Sequence, residues 1–560
     1  MTRMTGGQAA VTALEVEGVE HVFGLIGSAT MEMFDALHGS PIDYVGVHDE
    51  RTGTHMADGY ARACGRAGVI LAGQNGPGVT NLVTGLAQAK AAYSPVVAIG
   101  GALAQGHVHR DAFQEVDQDA LLAPVTKRVW TAPLTDRVPE LVREAFRVAN
   151  APRKGPVQLN LPRNVLAGEA RFDAFPTPEA TRGYSMPAAA AEAVERAARM
   201  LGAAERPVIV AGGGIKNTGG HEAALELAEA LGCPLACAPG HGDALPFGHP
   251  LNAGQMGPRG NPVASRLVKE ADVILALGTR LGFNSTFYSY DNIAREAAII
   301  HVELEPTAIG RHFPVALGIW ADAPTAARQI REALSRLDDR ATAQRWSAAY
   351  REERSAWLAR RDAEASRDET PIQPSGLFKA IRDVAPSDAV YTMDAGTLCL
   401  QATDALNYGP RSLFTPLDFG LVGFSHACGL GVKLAQPQRP VISLMGDGGF
   451  GMVTSEISTA VDHGIATVTL VMNNGSWGAE KAYQRDFFGE RYIGADVSSP
   501  PFDELARLHG AEGFRVERLS EVGPALEAAL ATERPAVVDI AVDPAALYSF
   551  RRDSFAHRGG

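Results

Sequence analysis

Short apolar runs rich in Val, Ile and Leu recur along the chain, and stretches with helical spacing separate them. Examples are GVILAGQ (68–74), RPVIVAGGGI (206–215) and ATVTLVMNN (466–474). Runs of this length are typical of strands that a parallel sheet buries on both faces. Strands that alternate with helices in this way predict βαβ units and an α/β fold.

The alternation falls into three blocks, at residues 1–168, 190–335 and 371–560. A segment rich in Pro, Ala and charge follows the first block from residue 167 and is predicted to be a linker. The charged stretch 331–368 is predicted to be a helix followed by a connector. Because 560 residues are too many for one core, we predict three doubly wound parallel-sheet α/β domains.

Each block has its own set of predicted strands. They are HVFGLIG, YVGVHD, GVILAGQ, PVVAIGG and PVQLNLP in the first block, RPVIVAGGGI, CPLACAP, ADVILALG and AAIIHVEL in the second, and AVYTMDAG, SLFTPLD, PVISLMGDG, ATVTLVMNN and AVVDIAVD in the third.

Composition and charge exclude several classes of protein. The net charge of −13 argues against nucleic acid as a partner, and no apolar run has the length of a membrane span. The N-terminus has no apolar signal region, so a cytoplasmic location is expected. The five cysteines are scattered and predict reduced thiols. Cys233 and Cys237 are four residues apart, but no second ligand pair follows, which favours core cysteines over a zinc site.

The stretch GDGGFGMVTSEISTAVDHGIATVTLVMNNGSWGAEK (446–481) places polar residues at the ends of two predicted strands. Asp447 follows the first strand, and Asn474 follows the second about 27 residues later. Neighbouring parallel strands end at the same edge of a sheet, where ligands of open α/β sheets bind. Asp and Asn oxygens suit a hard cation such as magnesium. The helix after the first strand can direct its N-terminus at a phosphate group, so we predict a metal–diphosphate clamp.

This pair of motifs resembles the thiamine-diphosphate motif of the acetolactate synthase and pyruvate oxidase superfamily. The resemblance implies that magnesium is held by Asp447, Asn474 and the backbone carbonyl of Ser476. It also implies that the loop MDAGTL (393–398) contacts the diphosphate. The remaining residues that it assigns to this part of the cofactor are Gly396, Thr397, Leu398, Gly446, Gly448 and Gly449.

The segment VHDERTGTHMADGYARACG (47–65) resembles the glutamate segment of the same superfamily. There a glutamate binds the aminopyrimidine ring and favours its imino tautomer, which then takes the thiazolium proton. The alignment implies that Glu50 has this role, with Asp49 and Asp58 as the rival carboxylates. Glu50 lies almost 400 residues from Asp447, and the superfamily builds its active site from two subunits. The resemblance therefore implies a homodimer or homotetramer.

The run DFGLVGFSHACGLGVKLA (418–435) resembles the superfamily segment that bends the cofactor. It implies that the backbone of Gly420 meets the pyrimidine and that Val422 is the wedge beneath it. Val422 is smaller than the usual Met, Leu or Ile. His426 stands where the superfamily has Leu or Pro, and a satisfied buried histidine is the favoured interpretation.

Four stretches resemble the sulfoacetaldehyde acetyltransferase branch of the superfamily. They are GLIGSAT (24–30), QNGPGVTN (74–81) with AFQEVDQ (112–118), GHGDALPFGHPLNAGQMG (240–257), and WGAEK (477–481) with the late FRRDSF (550–555). The resemblance implies conversion of sulfoacetaldehyde and phosphate into acetyl phosphate and sulfite. Lys and Arg side chains suit the oxyanions of both substrates. The predicted substrate-binding residues are Ser28, Gln74, Gln114, Trp477, Lys481, Arg551 and Arg552.

Other functions remain open at this stage. An acetolactate-synthase-like carboligase or a 2-oxo acid decarboxylase is the alternative within the superfamily. An inactive regulatory or scaffold subunit is the alternative from another class, although Glu50, Asp447 and Asn474 are all present. The glycine-rich AGGGIKNTGG (211–220) follows a predicted strand but lacks a full dinucleotide fingerprint. FAD occurs in this domain in some relatives, so it stays a possible cofactor.

Overall fold

Three six-stranded sheets form the framework of the protein. The computed structural model describes residues 2–258, 260–337, 344–366, 370–397, 401–402 and 405–548. Within these residues all neighbouring strands of the three large sheets are parallel. This arrangement confirms the prediction of three parallel-sheet α/β domains.

The strands of each domain are consecutive in the chain but not in the sheet. The sheet orders are β3-β2-β4-β5-β7-β6 in the first domain, β11-β10-β9-β12-β13-β14 in the central domain and β16-β15-β17-β18-β20-β19 in the third. The strands are β1 (Thr2–Thr5), β2 (His21–Leu25), β3 (Asp43–Gly46), β4 (Gly68–Ala72), β5 (Val96–Ala102), β6 (Val129–Thr131), β7 (Val157–Pro162), β8 (Glu169–Phe172), β9 (Pro207–Ala211), β10 (Leu235–Cys237), β11 (Asn252–Gln255), β12 (Val273–Leu277), β13 (Ala298–Glu303), β14 (Leu317–Trp320), β15 (Val390–Met393), β16 (Leu413–Phe414), β17 (Val441–Gly446), β18 (Val468–Asn473), β19 (Glu512–Val516) and β20 (Ala536–Ala541).

Helices cover the faces of the sheets, as buried parallel strands require. In the first domain they are α1 (Gly6–Val16), α2 (Met31–His38), α3 (Glu50–Cys64), α4 (Pro77–Thr80), α5 (Leu82–Ala91), α6 (Gln118–Leu122), α7 (Val138–Asn150), α8 (Arg163–Ala167) and α9 (Pro178–Arg182). In the central domain and the connector they are α10 (Ala191–Gly202), α11 (Gly213–Thr218), α12 (His221–Leu231), α13 (Pro262–Glu270), α14 (Phe283–Thr286), α15 (Ala323–Ser335) and α16 (Gln344–Ala365). In the third domain they are α17 (Pro374–Val384), α18 (Ser425–Ala435), α19 (Asp447–Gly451), α20 (Glu456–Asp462), α21 (Gly478–Phe487), α22 (Phe502–Leu508) and α23 (Leu519–Ala531). No helix of the described ranges is both long enough and apolar enough to cross a membrane.

The predicted linker after the first block is partly structured. β8 (Glu169–Phe172) lies inside it and pairs antiparallel with β1 (Thr2–Thr5), in a separate two-stranded sheet. The prediction was wrong at this point because β8 is short and its residues alternate between polar and apolar. Such a pattern does not stand out within a charged segment, so the pairing with the distant N-terminus gave no local signal.

Helix α3 begins and ends as its local sequence dictates. The side chain of Asp49 caps the helix, with its Oδ1 accepting a hydrogen bond from the backbone N–H of Arg51 at 2.7 Å. Gly65 ends the helix in the left-handed conformation, with φ of 78°. The N-terminal residue of the helix is Glu50, which therefore lies at the carboxyl edge of the first sheet.

A close crossing of two helices joins the first and third domains. A Cβ atom on Gly431 of α18 would lie 1.9 Å from the carbonyl oxygen of Met56 on α3. A Cβ on Gly59 of α3 would lie 2.3 Å from the carbonyl oxygen of Cys428 on α18. Since real Cβ atoms do not approach oxygen this closely, the crossing requires glycine at both positions.

All three domains meet at a buried charged junction. The ammonium group of Lys216, in the central domain, lies 2.9 Å from Asp243 Oδ1, and both side chains are almost completely buried. Asp243 also accepts hydrogen bonds from the backbone N–H groups of Ser412 and Leu413, in the third domain.

An aromatic ring completes this junction. The ring of Phe414 lies near the charged groups of both Lys216 and Arg62, at 5.3 and 5.5 Å from the ring centroid. Arg62 comes from α3 of the first domain and also donates to the backbone carbonyl of Thr415. The junction therefore ties one lysine of the glycine-rich segment 211–220 to both outer domains.

Replacing Lys216 with Met should destabilise the folded protein by roughly 3–5 kcal/mol, because a buried carboxylate would lose its counter-charge. Denaturant unfolding followed by fluorescence would measure the change. The matched control is Lys379→Met, which removes a half-exposed partner of Asp383 on one helix and should change stability by about 0.5 kcal/mol or less. Equal shifts for the two variants would contradict the role given to the junction.

Candidate active site

The carboxyl ends of β17 and β18 bring the two predicted motifs together. The two strands are direct parallel neighbours, with Gly446 paired in register with Met472. Asp447 begins α19 directly after β17, and Asn474 follows β18. The backbone N–H of Asn474 lies close enough to the Asp447 carboxylate to lower its pKa. The βαβ unit inferred from spacing is therefore present, and it places both side chains at one edge.

The Asp447 carboxylate is buried and only partly satisfied. Its Oδ2 accepts a hydrogen bond from Ser499 Oγ at 2.8 Å. Its Oδ1 is buried and has no hydrogen-bond partner among the described residues. Burial outweighs the hydrogen bonds and raises the pKa of Asp447. A buried carboxylate oxygen without a partner is what an absent cation would leave behind.

The turn after β18 is fixed by its own side chains. Asn474 Oδ1 accepts from the backbone N–H of Ser476 at 3.1 Å, and Gly475 adopts a φ of 64°. The Trp477 ring packs on Gly448, where a Cβ would lie 2.8 Å from the ring carbons. Glycine at position 448 thus lets the two halves of the predicted clamp meet.

These residues fit a magnesium ion bound to a diphosphate. The unpartnered oxygen of Asp447, the amide of Asn474 and the backbone carbonyl of Ser476 would provide the oxygen ligands that this cation prefers. Gly446 has open space where a side chain would be, which leaves room beside the clamp. The described residues contain no group of three or more His, Cys, Asp or Glu side chains suited to a metal. The predicted set would not form such a group because it has a single carboxylate.

A second buried acid, Asp394, organises the loop before α18. It follows β15 and accepts three backbone hydrogen bonds, from Gly423 at 2.8 Å, Phe424 at 2.7 Å and Ser425 at 2.8 Å. Burial raises the pKa of Asp394 to about 6 in spite of these donors. The three bonds hold the C-terminal end of the loop that carries Gly420 and Val422.

The predicted wedge lies beside the clamp. Val422 Cγ1 is 3.2 Å from the position that a Cβ on Gly449 would take. Gly420 adopts a φ of 82°, which favours glycine. Gly396 has a φ of 113° and open space around it, and Thr397 follows it as a half-buried residue. Leu398, assigned to the same loop, lies outside the described residues.

Glu50 lies at the carboxyl edge of the first sheet and is only 3% exposed. Its Oε2 accepts a hydrogen bond from Asn81 Nδ2 at 2.9 Å. Its Oε1 faces Gly78, where a Cβ would lie 3.0 Å away. Burial raises the pKa of Glu50. A carboxyl group with a raised pKa and one oxygen next to a side-chain-free position is equipped to exchange a proton with a ligand.

Three predicted substrate residues form a chain of hydrogen bonds near Glu50. Ser28 Oγ donates to Gln74 Oε1 at 3.2 Å, and Gln74 Nε2 donates to Gln114 Oε1 at 2.6 Å. Gln114 is held in the left-handed region, with φ of 63°. Lys481, in contrast, forms an ion pair with Asp496 at 2.6 Å, so its charge is already matched within the chain. Arg551 and Arg552 lie outside the described residues.

The alternative residues have other partners. Asp49 caps α3. Asp58 is buried within α3, 3.7 Å from Arg62, and burial raises its pKa. His426 is buried, with its Nδ1 2.9 Å from Thr469 Oγ1, and burial lowers its pKa to about 4. Cys233 and Cys237 are buried in the apolar core of the central domain.

Sequence reasoning did not identify four residues that shape this site. Asp394 and Asn81 lie within the motifs MDAGTL and QNGPGVTN, and Asp394 directly follows β15, where a polar side chain could have drawn attention. Ser499 gave no signal, and Gly78 lies within QNGPGVTN, but the roles of both depend on contacts with Asp447 and Glu50 that sequence spacing does not reveal.

Three family models match the chain, one for each domain. They are the thiamine pyrophosphate enzyme N-terminal TPP binding domain at residues 4–121, the central domain at 194–330 and the C-terminal TPP binding domain at 394–540. The chain is 34% identical over 585 residues to a sulfoacetaldehyde acetyltransferase from Alcaligenes xylosoxydans xylosoxydans, covering 99% of this chain and 96% of that protein. It is 33% identical over 555 residues to a probable acetolactate synthase large subunit from Methanocaldococcus jannaschii, covering 97% and 92%.

Replacing Asp394 with Asn should weaken thiamine diphosphate binding roughly ten- to a hundredfold, because a lost hydrogen bond to a charged acceptor is worth about 1.5–3 kcal/mol. The affinity of the wild type should also fall as the pH drops through about 6, where Asp394 takes up a proton. Because burial raises the pKa of Asp394 above its value in the unfolded chain, protonation of Asp394 stabilises the folded protein. The loss of cofactor affinity at low pH would therefore come from the loop that Asp394 holds and not from unfolding. Calorimetric titration at several pH values would measure both effects.

The control for this experiment is Asp388→Asn, which changes an exposed acid just before the same strand. It should bind cofactor like the wild type at every pH. An Asp394→Asn variant with the wild-type affinity and the wild-type pH profile would contradict the role of Asp394.

Proposed function

The chain belongs to the thiamine pyrophosphate enzymes, and on that premise we propose that it is a thiamine-diphosphate-dependent acyltransferase. It converts sulfoacetaldehyde and phosphate into acetyl phosphate and sulfite. In this reaction the C–S bond breaks and sulfite leaves with the electron pair. The aldehyde carbon becomes an acyl carbon bonded to a phosphate oxygen, and the neighbouring carbon becomes a methyl group. No external oxidant is needed, so the reaction requires no FAD.

The observation that carries this proposal is the unpartnered Oδ1 of buried Asp447 beside Asn474. Together with the backbone of Ser476, these two side chains would hold magnesium, and the N-terminus of α19 would be available to the diphosphate. Thiamine diphosphate, when bound, supplies a carbon nucleophile and an electron sink for cleaving a bond next to a carbonyl group.

Glu50 has the proton-handling role in the proposed mechanism. Asn81 holds its Oε2, so Oε1 would be the atom available to exchange a proton with the aminopyrimidine ring of a bound cofactor. The raised pKa of Glu50 brings it closer to the neutral pH at which such an exchange is efficient. Val422 would support the bound cofactor, and Gly420 would offer its backbone to the pyrimidine.

The choice of substrate is supported by the acetyltransferase relative from Alcaligenes and by the four stretches of sequence that resemble this branch. The hydrogen-bonded chain of Ser28, Gln74 and Gln114 offers polar groups for an oxyanion. The similar acetolactate synthase relative supports the alternative of a carboligase or decarboxylase. An inactive scaffold is less favoured, because Glu50, Asp447 and Asn474 are all in place.

We further propose that a second copy of the chain completes each active site. Glu50 contacts residues of its own domain, and the clamp contacts residues of the third domain. Large apolar side chains are exposed on both edges. They are Ile26 (59% exposed), directly after β2, and Phe113 (82%), next to Gln114, in the first domain, and Phe419 (50%) and Ile493 (82%) in the third domain. A homodimer or homotetramer in which these edges meet would bury them.

A cytoplasmic location belongs to the same proposal. Cys64, Cys233 and Cys428 carry free thiols, which is the state expected in a reducing compartment.

Purified protein supplied with thiamine diphosphate, magnesium and phosphate should release sulfite and acetyl phosphate from sulfoacetaldehyde. It should release no CO2 or acetolactate from pyruvate or other 2-oxo acids. Ion chromatography and an acetyl phosphate assay would follow the products. Acetolactate or CO2 formation from pyruvate would support the alternative within the superfamily, and cofactor binding without any turnover would support the scaffold.

Two variants should separate cofactor retention from proton transfer. Asp447→Ala should lose magnesium-dependent binding of thiamine diphosphate, measured by calorimetry. Glu50→Gln should still bind the cofactor but slow hydrogen–deuterium exchange at the thiazolium carbon by ~100- to 10,000-fold, the range of general acid–base contributions. Each variant is the control for the other. Wild-type affinity in the first, or a wild-type exchange rate in the second, would remove the assigned role.

A further inference from the structure

The corner between β3 and α3 carries Glu50, and helix α20 of the third domain forms hydrogen bonds with this corner. The side chains that form these hydrogen bonds are Glu456 and Thr459 of α20 and His463, which follows directly after that helix. Their spacing of three and then four residues places them on one face of the helix. The corner comprises residues 46–52.

The hydrogen bonds between this helix and the corner are short and specific. The backbone N–H of His48 donates to Glu456 Oε1 at 3.2 Å, and Thr52 Oγ1 lies 2.6 Å from the same atom. The backbone N–H of Gly46 donates to His463 Nε2 at 3.0 Å. Thr459 Oγ1 lies 2.6 Å from Glu456 Oε2 and 3.1 Å from His48 Nδ1.

Glu456 is completely buried, although it is an acid. Its carboxylate receives donors from both domains, and hydrogen bonds to a buried charge are stronger than neutral ones. The corner is therefore held on both sides of Glu50, at residues 46 and 48 before it and at residue 52 after it. The Glu50 carboxyl group takes no part in these hydrogen bonds and contacts Asn81 instead.

We propose that Glu456, Thr459 and His463 are positioning residues that set the orientation of Glu50 for proton exchange. The proposal rests on the proposed function of Glu50. Among the described residues, none of the three side chains forms a hydrogen bond with Glu50 or with the cofactor site, so their effect passes through the corner. A shift of about 1 Å in a reacting group can change a rate by about a hundredfold, so small losses of order at the corner matter.

The test uses Thr459→Val, which keeps the shape of the side chain and removes the hydroxyl that joins Glu456 to His48. In the protein without cofactor, amide hydrogen exchange of the peptide containing residues 46–52 should become faster. In the protein with thiamine diphosphate and magnesium, exchange at the thiazolium carbon should slow by roughly ten- to a hundredfold. Cofactor affinity should stay at the wild-type value, and Thr459→Ser should restore both exchange rates.

Ser458→Ala is the matched control, because it removes a hydroxyl from the neighbouring position of the same helix. Ser458 Oγ lies 2.7 Å from His509 Nδ1 within the third domain and does not reach the corner. This variant should leave both exchange rates unchanged. Glu456→Gln provides a second probe of similar shape in case Thr459→Val folds poorly, and it should move both rates in the same directions.

Faster amide exchange together with a wild-type thiazolium rate would overturn the proposal, and so would amide exchange that stays unchanged. If the wild type and Glu50→Gln exchanged the thiazolium proton equally, the proposed role of Glu50 would fail and this proposal with it. Amide exchange in the cofactor-free protein distinguishes the two failures, because it reports only how firmly α20 holds the corner in place.

Discussion

The crossing of α3 and α18 is the constraint on which the rest of the structure depends. Glycines at positions 59 and 431 let the two backbones approach until no side chain fits between them. Glu50 is the first residue of α3, and the loop with Gly420 and Val422 leads directly into α18. The crossing therefore fixes two functional elements from different domains. A rigid pair of helices holds such elements more accurately than loops could alone.

Buried carboxyl groups dominate the electrostatics of the site. Burial raises the pKa of Glu50, Asp394 and Asp447, and their described hydrogen-bond donors are neutral amides and a hydroxyl. A divalent cation would interact strongly with such a poorly solvated carboxylate at the clamp, where Asp447 lies. The three acids have separate tasks. Asp394 is satisfied by backbone amides, Asp447 keeps an oxygen without a partner among the described residues, and Glu50 has an oxygen beside a glycine.

The sequence predicted the centre of each sheet better than its borders. β4, β9 and β12 are continuous apolar runs and are entirely buried, and all three were predicted. The strands β6, β11, β14 and β19 were missed, and each lies at the edge of its sheet. An edge strand has a neighbour on one side only, so a short or mixed sequence suffices for it.

The residues of the candidate site were also predicted only in part. The adjacency of Asp447 and Asn474 could be inferred because consecutive parallel strands place their ends together. Asp394 and Glu456 could not be assigned, since their roles come from partners 29 to 31 residues away in the first case and about 400 in the second. The positions of Arg551 and Arg552 stay predictions.

The crossing of α3 and α18 has a consequence for the protein during its synthesis on the ribosome. Nearly all of α3 is buried, yet the helix that covers it is translated roughly 360 residues later. At a synthesis rate of about 5–20 residues per second, this face would wait roughly 20–70 seconds for its partner. At Gly59, where α18 later packs, α3 presents no side chain during that interval. The glycine of α3 that permits the close approach would thus also limit premature association of the nascent first domain.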